Sequence, residues 1–169
     1  RHNIGFKIID AINQKFSLSK QKPKFKGLLT TGNINEKKVY AIKPLTFMNN
    51  SGICIRELME YFKISSEEII VFHDDLDIDF GKIKAKFGGS SAGHNGIESI
   101  DKFIGKNYSR VRIGIGKPKT KAAVTDHVLK DFDEDEKIEL EKITSNIIDS
   151  LPILLDKKLD LFSSTVNNK

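Results

Sequence analysis

The stretch VFHDDLD (71–77) places His73, Asp74, Asp75 and Asp77 together, directly after the apolar run 69–72. In α/β sheets, sites gather beyond the carboxyl ends of strands. Three readings are open for this cluster. Its oxygen atoms could ligate a divalent cation. One carboxylate could instead orient a histidine for proton transfer, with the others solvated. It could also be no more than a charged turn. The chain begins RHNIGF, so Arg1 and His2 add two residue types used for phosphate binding and proton transfer.

GGSSAGHNG (88–96) is the most unusual stretch. Its four glycines and other small residues let backbone approach a ligand closely. His94 and Asn95 stand where this loop enters a helix, whose first N–H groups favour anions. The bland alternative is a flexible connector with Asn95 or Ser91 as a cap. The stretch lacks Gly-Lys-Ser/Thr, so it is not a Walker phosphate loop. TFMNNSG (46–52) offers Asn49, whose amide both donates and accepts, and Met48, which could wall a pocket. An N-cap and a core methionine would explain the same residues.

Covalent catalysis has little support. No Gly-x-Ser-x-Gly elbow is present, and Cys54 falls inside an apolar helical pattern where an inert thiol is expected. His127, in TDHVL, has nothing beside it that suggests a site. Lys82, Lys84 and Lys86 alternate, as do Arg110 and Arg112, and Lys117, Lys119 and Lys121 follow. Such a spread suits a phosphate backbone, or it is a set of separate solvated faces.

Charge is uneven. Residues 1–121 carry 22 Lys+Arg against 12 Asp+Glu, whereas residues 122–169 carry 6 against 11. A basic body favours a polyanionic partner. A single cysteine excludes an internal disulfide, and no apolar run is long enough to span a membrane as a helix.

The elements that must hold these residues alternate. Ile4, Ile8, Ile9, Ile12 and Phe16 mark a helix over 3–16, with Asn3 as a plausible cap. KPKFKG reads as a loop, and two strands flank GNINEKK as a hairpin. Ile55, Leu58, Met59 and Phe62 mark a second helix. A buried strand precedes the acidic cluster, another ends near Phe87, and SRVRIGIG makes a third. The acidic group at 133–136 opens a helix that Pro152 interrupts; a further segment ends near 162, and SSTVNNK reads as a fraying tail. This alternation predicts one α/β domain over 1–169, with an acidic C-terminal helical segment at about 133–162.

Taken together, RHNIG, KPLTFMNNSG, HDDLDIDFGKIKAKFGGSSAGHNGI, RVRIGIGKP and DHVLKDF resemble, in order and spacing, bacterial peptidyl-tRNA hydrolase. The resemblance covers residues 1 to about 132. It implies a monomeric cytoplasmic enzyme with a mixed twisted sheet flanked by helices. Such enzymes cleave the ester joining a peptide to tRNA without a metal or other cofactor. Matched by motif, His2 becomes the catalytic base and Asp74 its partner, while Met48, Asn49, His94 and Asn95 line the substrate cleft. Lys86, Arg112 and Lys121 become tRNA contacts, to the acceptor stem among others. The resemblance also implies an N-terminal strand and turn ahead of RHN, which are not among residues 1–169. Two alternatives remain open: an RNA-binding protein of the same fold without catalysis, and a metal-dependent hydrolase using HDDLD.

Overall fold

A computed structural model describes all residues, Arg1–Lys169. In chain order the first elements are α1 (Ile4–Lys15), β1 (Lys22–Lys24), β2 (Gly27–Ile34), β3 (Lys37–Pro44), α2 (Ser51–Phe62) and β4 (Ile70–Asp75). β5 (Ile83–Phe87), α3 (Asn95–Ile104), β6 (Ser109–Gly114), α4 (Val124–Leu129), α5 (Glu134–Asp149), α6 (Leu151–Leu155) and α7 (Leu159–Asn167) follow. The residues group into two compact units. The first comprises 1–11, 72–86 and 110–169; the second comprises 12–71 and 87–109.

One sheet runs in the order β4-β6-β5. Ser109 N–H donates to Ile69 O at 3.0 Å and Ile115 N–H to Asp75 O at 3.0 Å, a constant offset that makes β4 and β6 parallel. Gly88 N–H donates to Tyr108 O at 2.9 Å and Gly114 N–H to Lys82 O at 2.9 Å, so β5 runs antiparallel to β6. The sheet is therefore mixed, as expected for this α/β fold. The expected alternation holds on β5: Ile83 and Ala85 are buried while Lys82, Lys84 and Lys86 are exposed.

In the first unit, α1 lies close against β4. A Cβ on Gly5 would stand 2.3 Å from Phe72 O, so only glycine allows this approach. α5 opens with a capping box: the Asp133 carboxylate accepts from Glu136 N–H at 2.8 Å, and the Glu136 carboxylate accepts from Asp133 N–H at 3.0 Å. The chain after Pro152 departs from the reading of a fraying tail. α7 continues to Asn167, buries Phe162 and Val166, and meets the free edge of β5. Ser163 Oγ accepts from Ala85 N–H at 2.8 Å. Asn167 Oδ1 accepts from Ile83 N–H at 3.0 Å, and its Nδ2 donates to Ile83 O at 2.8 Å.

In the second unit, β1-β2-β3 form an antiparallel sheet. Strand β1 corrects the reading of KPKFKG as a loop. Pro23 cannot donate to a ladder, but an edge strand tolerates that. Ile55, Ile97, Ile100 and Tyr108 form this unit's core, with Ile42, Met59 and Val71 packed against it. Helices α2 and α3 touch backbone to backbone. A Cβ on Gly52 would come within 2.2 Å of Ser99 O, and Gly52 N–H donates to Ser99 Oγ at 2.9 Å.

Candidate active site

The first unit brings His2 to Asp74. Gly5 seats α1 on Phe72, and Asp74 follows two residues along β4, on the same face of the strand as Phe72. The segment before α1 is tied down by His2 N–H donating to Val128 O at 3.0 Å, and Arg1 joins Glu136 at 2.8 Å. The imidazole Nδ1 lies 2.9 Å from Asp74 Oδ1 and 2.8 Å from Oδ2. The carboxylate side chain is 3% exposed and the imidazole 23%, so the histidine meets solvent while its partner does not. A carboxylate can only accept, so Nδ1 carries the proton and Nε2 presents a lone pair.

The acidic cluster does not act as a unit. His73, Asp74 and Asp75 belong to strand β4 rather than to a turn beyond it, so alternation sends Asp74 to one face and its two neighbours to the other. His73 Nδ1 bonds Asp74 O at 2.7 Å. Asp75 Oδ2 accepts from Arg112 Nε at 2.7 Å, and its Oδ1 accepts from Asp77 N–H at 2.8 Å. Asp77 pairs with Lys117 at 2.7 Å, and this bond pushes the Lys117 ammonium pKa up. Each carboxylate of HDDLD thus already has a histidine or cationic partner.

The register of β5 and β6 sets Lys84 opposite Arg112 and Lys86 opposite Arg110. Lys86 is exposed, and Arg112 is half-buried with its Nε held by Asp75. Arg110 is buried to 2% exposure, which its alternation with Arg112 did not suggest. Lys121 opens a short 3₁₀ turn and is exposed. His127 Nε2 bonds Ile115 O at 3.0 Å, a structural role. Burial pushes the Cys54 thiol up to about 12, which leaves it inert.

The second unit carries Met48, Asn49, His94 and Asn95. Met48–Asn50 form a single 3₁₀ turn that leads into α2. A Cβ on Gly96 would lie 2.7 Å from Met48 Sδ and 3.0 Å from the His94 ring. One small residue therefore lets Met48 and His94 share the start of α3, and one local scaffold carries Asn49 and Asn95, both exposed. The cap of α3 is His94, not Asn95 or Ser91. Its Nδ1 accepts from Gly96 N–H at 3.1 Å and from Ile97 N–H at 3.2 Å. That fixes Nε2 as the protonated nitrogen of the neutral ring.

The family model for peptidyl-tRNA hydrolase matches residues 1–169. The chain belongs to the peptidyl-tRNA hydrolase family. It is 85% identical over 169 residues to a peptidyl-tRNA hydrolase from Pelagibacter ubique, covering 100% of this chain and 91% of that one. With the enzyme of Ehrlichia canis it shares 44% identity over 168 residues, covering 99% and 86%. The crystal structure of peptidyl-tRNA hydrolase from Acinetobacter baumannii matches with a TM-score of 0.92 at 33% identity, covering 99% and 86% of the two chains.

Sequence reasoning within the peptidyl-tRNA hydrolase family missed the Asp75–Arg112 and Asp77–Lys117 pairs. Their signal was present as acids and bases on neighbouring strand ends, but strand order was needed to join them. It also missed His94 as a cap, because histidine is not among the usual N-cap residues.

Proposed function

We propose that the chain hydrolyses the ester between a peptide and the terminal ribose of tRNA, with His2 as general base. Membership of the peptidyl-tRNA hydrolase family and 85% identity to a named relative support the reaction. The observation that carries the residue assignment is the bond from His2 Nδ1 to the buried Asp74 carboxylate.

In this reading a water attacks the ester carbonyl carbon as His2 Nε2 takes its proton. Asp74 holds the Nδ1–H tautomer and stabilises the imidazolium that forms. The tetrahedral intermediate collapses by expelling the ribose oxygen, which takes the proton back from Nε2. The ester has a good leaving group, so no covalent enzyme intermediate is needed. The amides of Asn49 and Asn95 donate and accept, and serve to hold peptide backbone or the developing oxyanion. Met48 and His94 support them. Lys86, Arg112 and Lys121 contact tRNA phosphates, which position the acceptor stem without reading sequence. In this reading the base is the imidazole itself, and the reaction needs no metal. The enzyme acts as a monomeric cytoplasmic protein with residues 1–169 as one functional domain. No helix is long and apolar enough to cross a membrane.

The test is release of peptide from peptidyl-tRNA by the purified chain in the presence of EDTA. Turnover that survives the chelator is expected. Absence of hydrolysis, or hydrolysis abolished by chelator and restored by a divalent cation, would overturn the reading.

A further inference from the structure

The second unit carries 12 Lys+Arg against 7 Asp+Glu, and its basic residues concentrate at 20–43, where Lys20, Lys22, Lys24, Lys26, Lys37, Lys38 and Lys43 face a single acid, Glu36. The β1–β2 turn and the end of α2 join there through aromatic rings. Tyr40 stacks on Phe62 with centroids 4.0 Å apart, Phe62 meets Tyr61 edge-on at 4.9 Å, and Phe25 lies 5.3 Å from Tyr61. A lysine sits at each end of this run. Lys24 Nζ is 4.0 Å from the Tyr61 centroid, and Lys38 Nζ is 5.7 Å from that of Tyr40.

Three features separate this face from ordinary solvated lysines. First, cation–π contact holds the Lys24 and Lys38 ammoniums in place, so less side-chain freedom is lost when a phosphate binds them. Second, Tyr61 remains 61% exposed despite its ring neighbours, leaving surface on which a base or ribose could lie. Third, the turn that presents Phe25 is strained. Phe25 and Lys26 have φ of 55° and 59°, the left-handed conformation that two-residue hairpins normally give to Asn-Gly. Lys26 is committed to Glu57, whereas Lys22, Lys24 and Lys38 make no ion pair.

We infer that this face of the second unit, with Lys24 and Lys38 set on the Tyr40–Phe62–Tyr61–Phe25 rings and Lys22 exposed two residues before Lys24 on β1, binds the phosphate backbone of the tRNA substrate. It adds to the contacts proposed for Lys86, Arg112 and Lys121. The inference rests on the tRNA-ester reading for its ligand but not on the chemistry of His2.

The test compares the full chain with the triple variant Lys22→Gln/Lys24→Gln/Lys38→Gln. Affinity for deacylated tRNA is measured across a salt series, and turnover is measured on a peptidyl-adenosine ester that lacks the tRNA body. Each phosphate contact contributes about 0.7–0.9 to the salt slope. The triple variant should therefore flatten the slope by about two, weaken binding roughly tenfold at moderate salt, and leave ester turnover unchanged. Tyr61→Leu should weaken binding about threefold and leave the slope intact, because it removes the support and not the charge. An unchanged slope in the triple variant would overturn the inference. So would an equal change in a control triple, Lys142→Gln/Lys157→Gln/Lys158→Gln. Failure of the parent chain to cleave peptidyl-tRNA would instead remove the catalytic reading and leave the difference in salt slope standing.

Discussion

The two units hold their functional groups by different means. In the first, Asp74 holds His2, Asp75 holds Arg112 and Asp77 holds Lys117, while Lys86 and Lys121 stand exposed. In the second, Asn49 and Asn95 are exposed, and the backbone around them does the positioning through Gly52 on Ser99 and Gly96 under Met48. Charge differs in the same way. The first unit carries 16 basic and 16 acidic residues, so its bases are matched, while the second carries an excess of five bases. Proton chemistry needs a fixed tautomer, which a buried partner provides. Recognition of amide backbone and ribose needs open donors and acceptors, which a rigid main chain can offer without side-chain partners.

The sharpest way to break this contrast is to remove one member of a pair. His2→Ala should lower kcat/KM by about 10²–10⁴, the usual contribution of a general base, and leave the Kd for tRNA unchanged. A variant that still turns over peptidyl-tRNA at the parent rate would end the assignment. Next in size is an attack on the second unit's main chain. Gly52→Val places atoms where Ser99 O already stands, and should cost about 3 kcal/mol in urea unfolding, at the upper end for overpacking. A near-neutral result would mean that α2 and α3 are not held by close approach.

Asn95→Ala should have a milder effect. It loses one exposed amide and should raise KM by up to about tenfold with less change in kcat, as expected for one neutral hydrogen bond. A loss as large as that of His2→Ala would erase the distinction between the units. The smallest effect is expected at the β2–β3 turn, where Asn35 and Glu36 have φ of 49° and 67°. Glu36→Gly creates the preferred Asn-Gly pair and should stabilise by about 0.5 kcal/mol, visible as a small rise in Tm. A fall would show that the Glu36 side chain contributes more than its backbone strain costs.

Elements with a clear apolar period were legible in the sequence. Ile4, Ile8 and Ile12 gave α1, and Ile55 and Leu58 gave α2, because burial enforces the helical repeat. Strand β1 was hidden by Pro23 and by three exposed residues that carry no alternation. The C-terminal turn of α7 was hidden by composition. SSTVNNK looks solvated, yet Val166 is 2% exposed, and Ser163 and Asn167 spend their polar groups on a strand. At the site, motif matching named His2 and Asp74, but spacing alone left their partnership open because 72 residues separate them. The division of HDDLD between two faces, and the pairing of Asp75 with Arg112, depend on strand order, which pattern does not encode.

The contact between α7 and β5 has a consequence for association between molecules. A single asparagine amide answers both the N–H and the C=O of Ile83, as a neighbouring strand would, and Ser163 answers the next inward N–H. The helix therefore acts as a counterfeit strand that terminates the sheet. Peeling it away would leave an unpaired rim able to recruit the same segment of another copy. The last turn of this helix thus closes one rim of the sheet as well as packing against it.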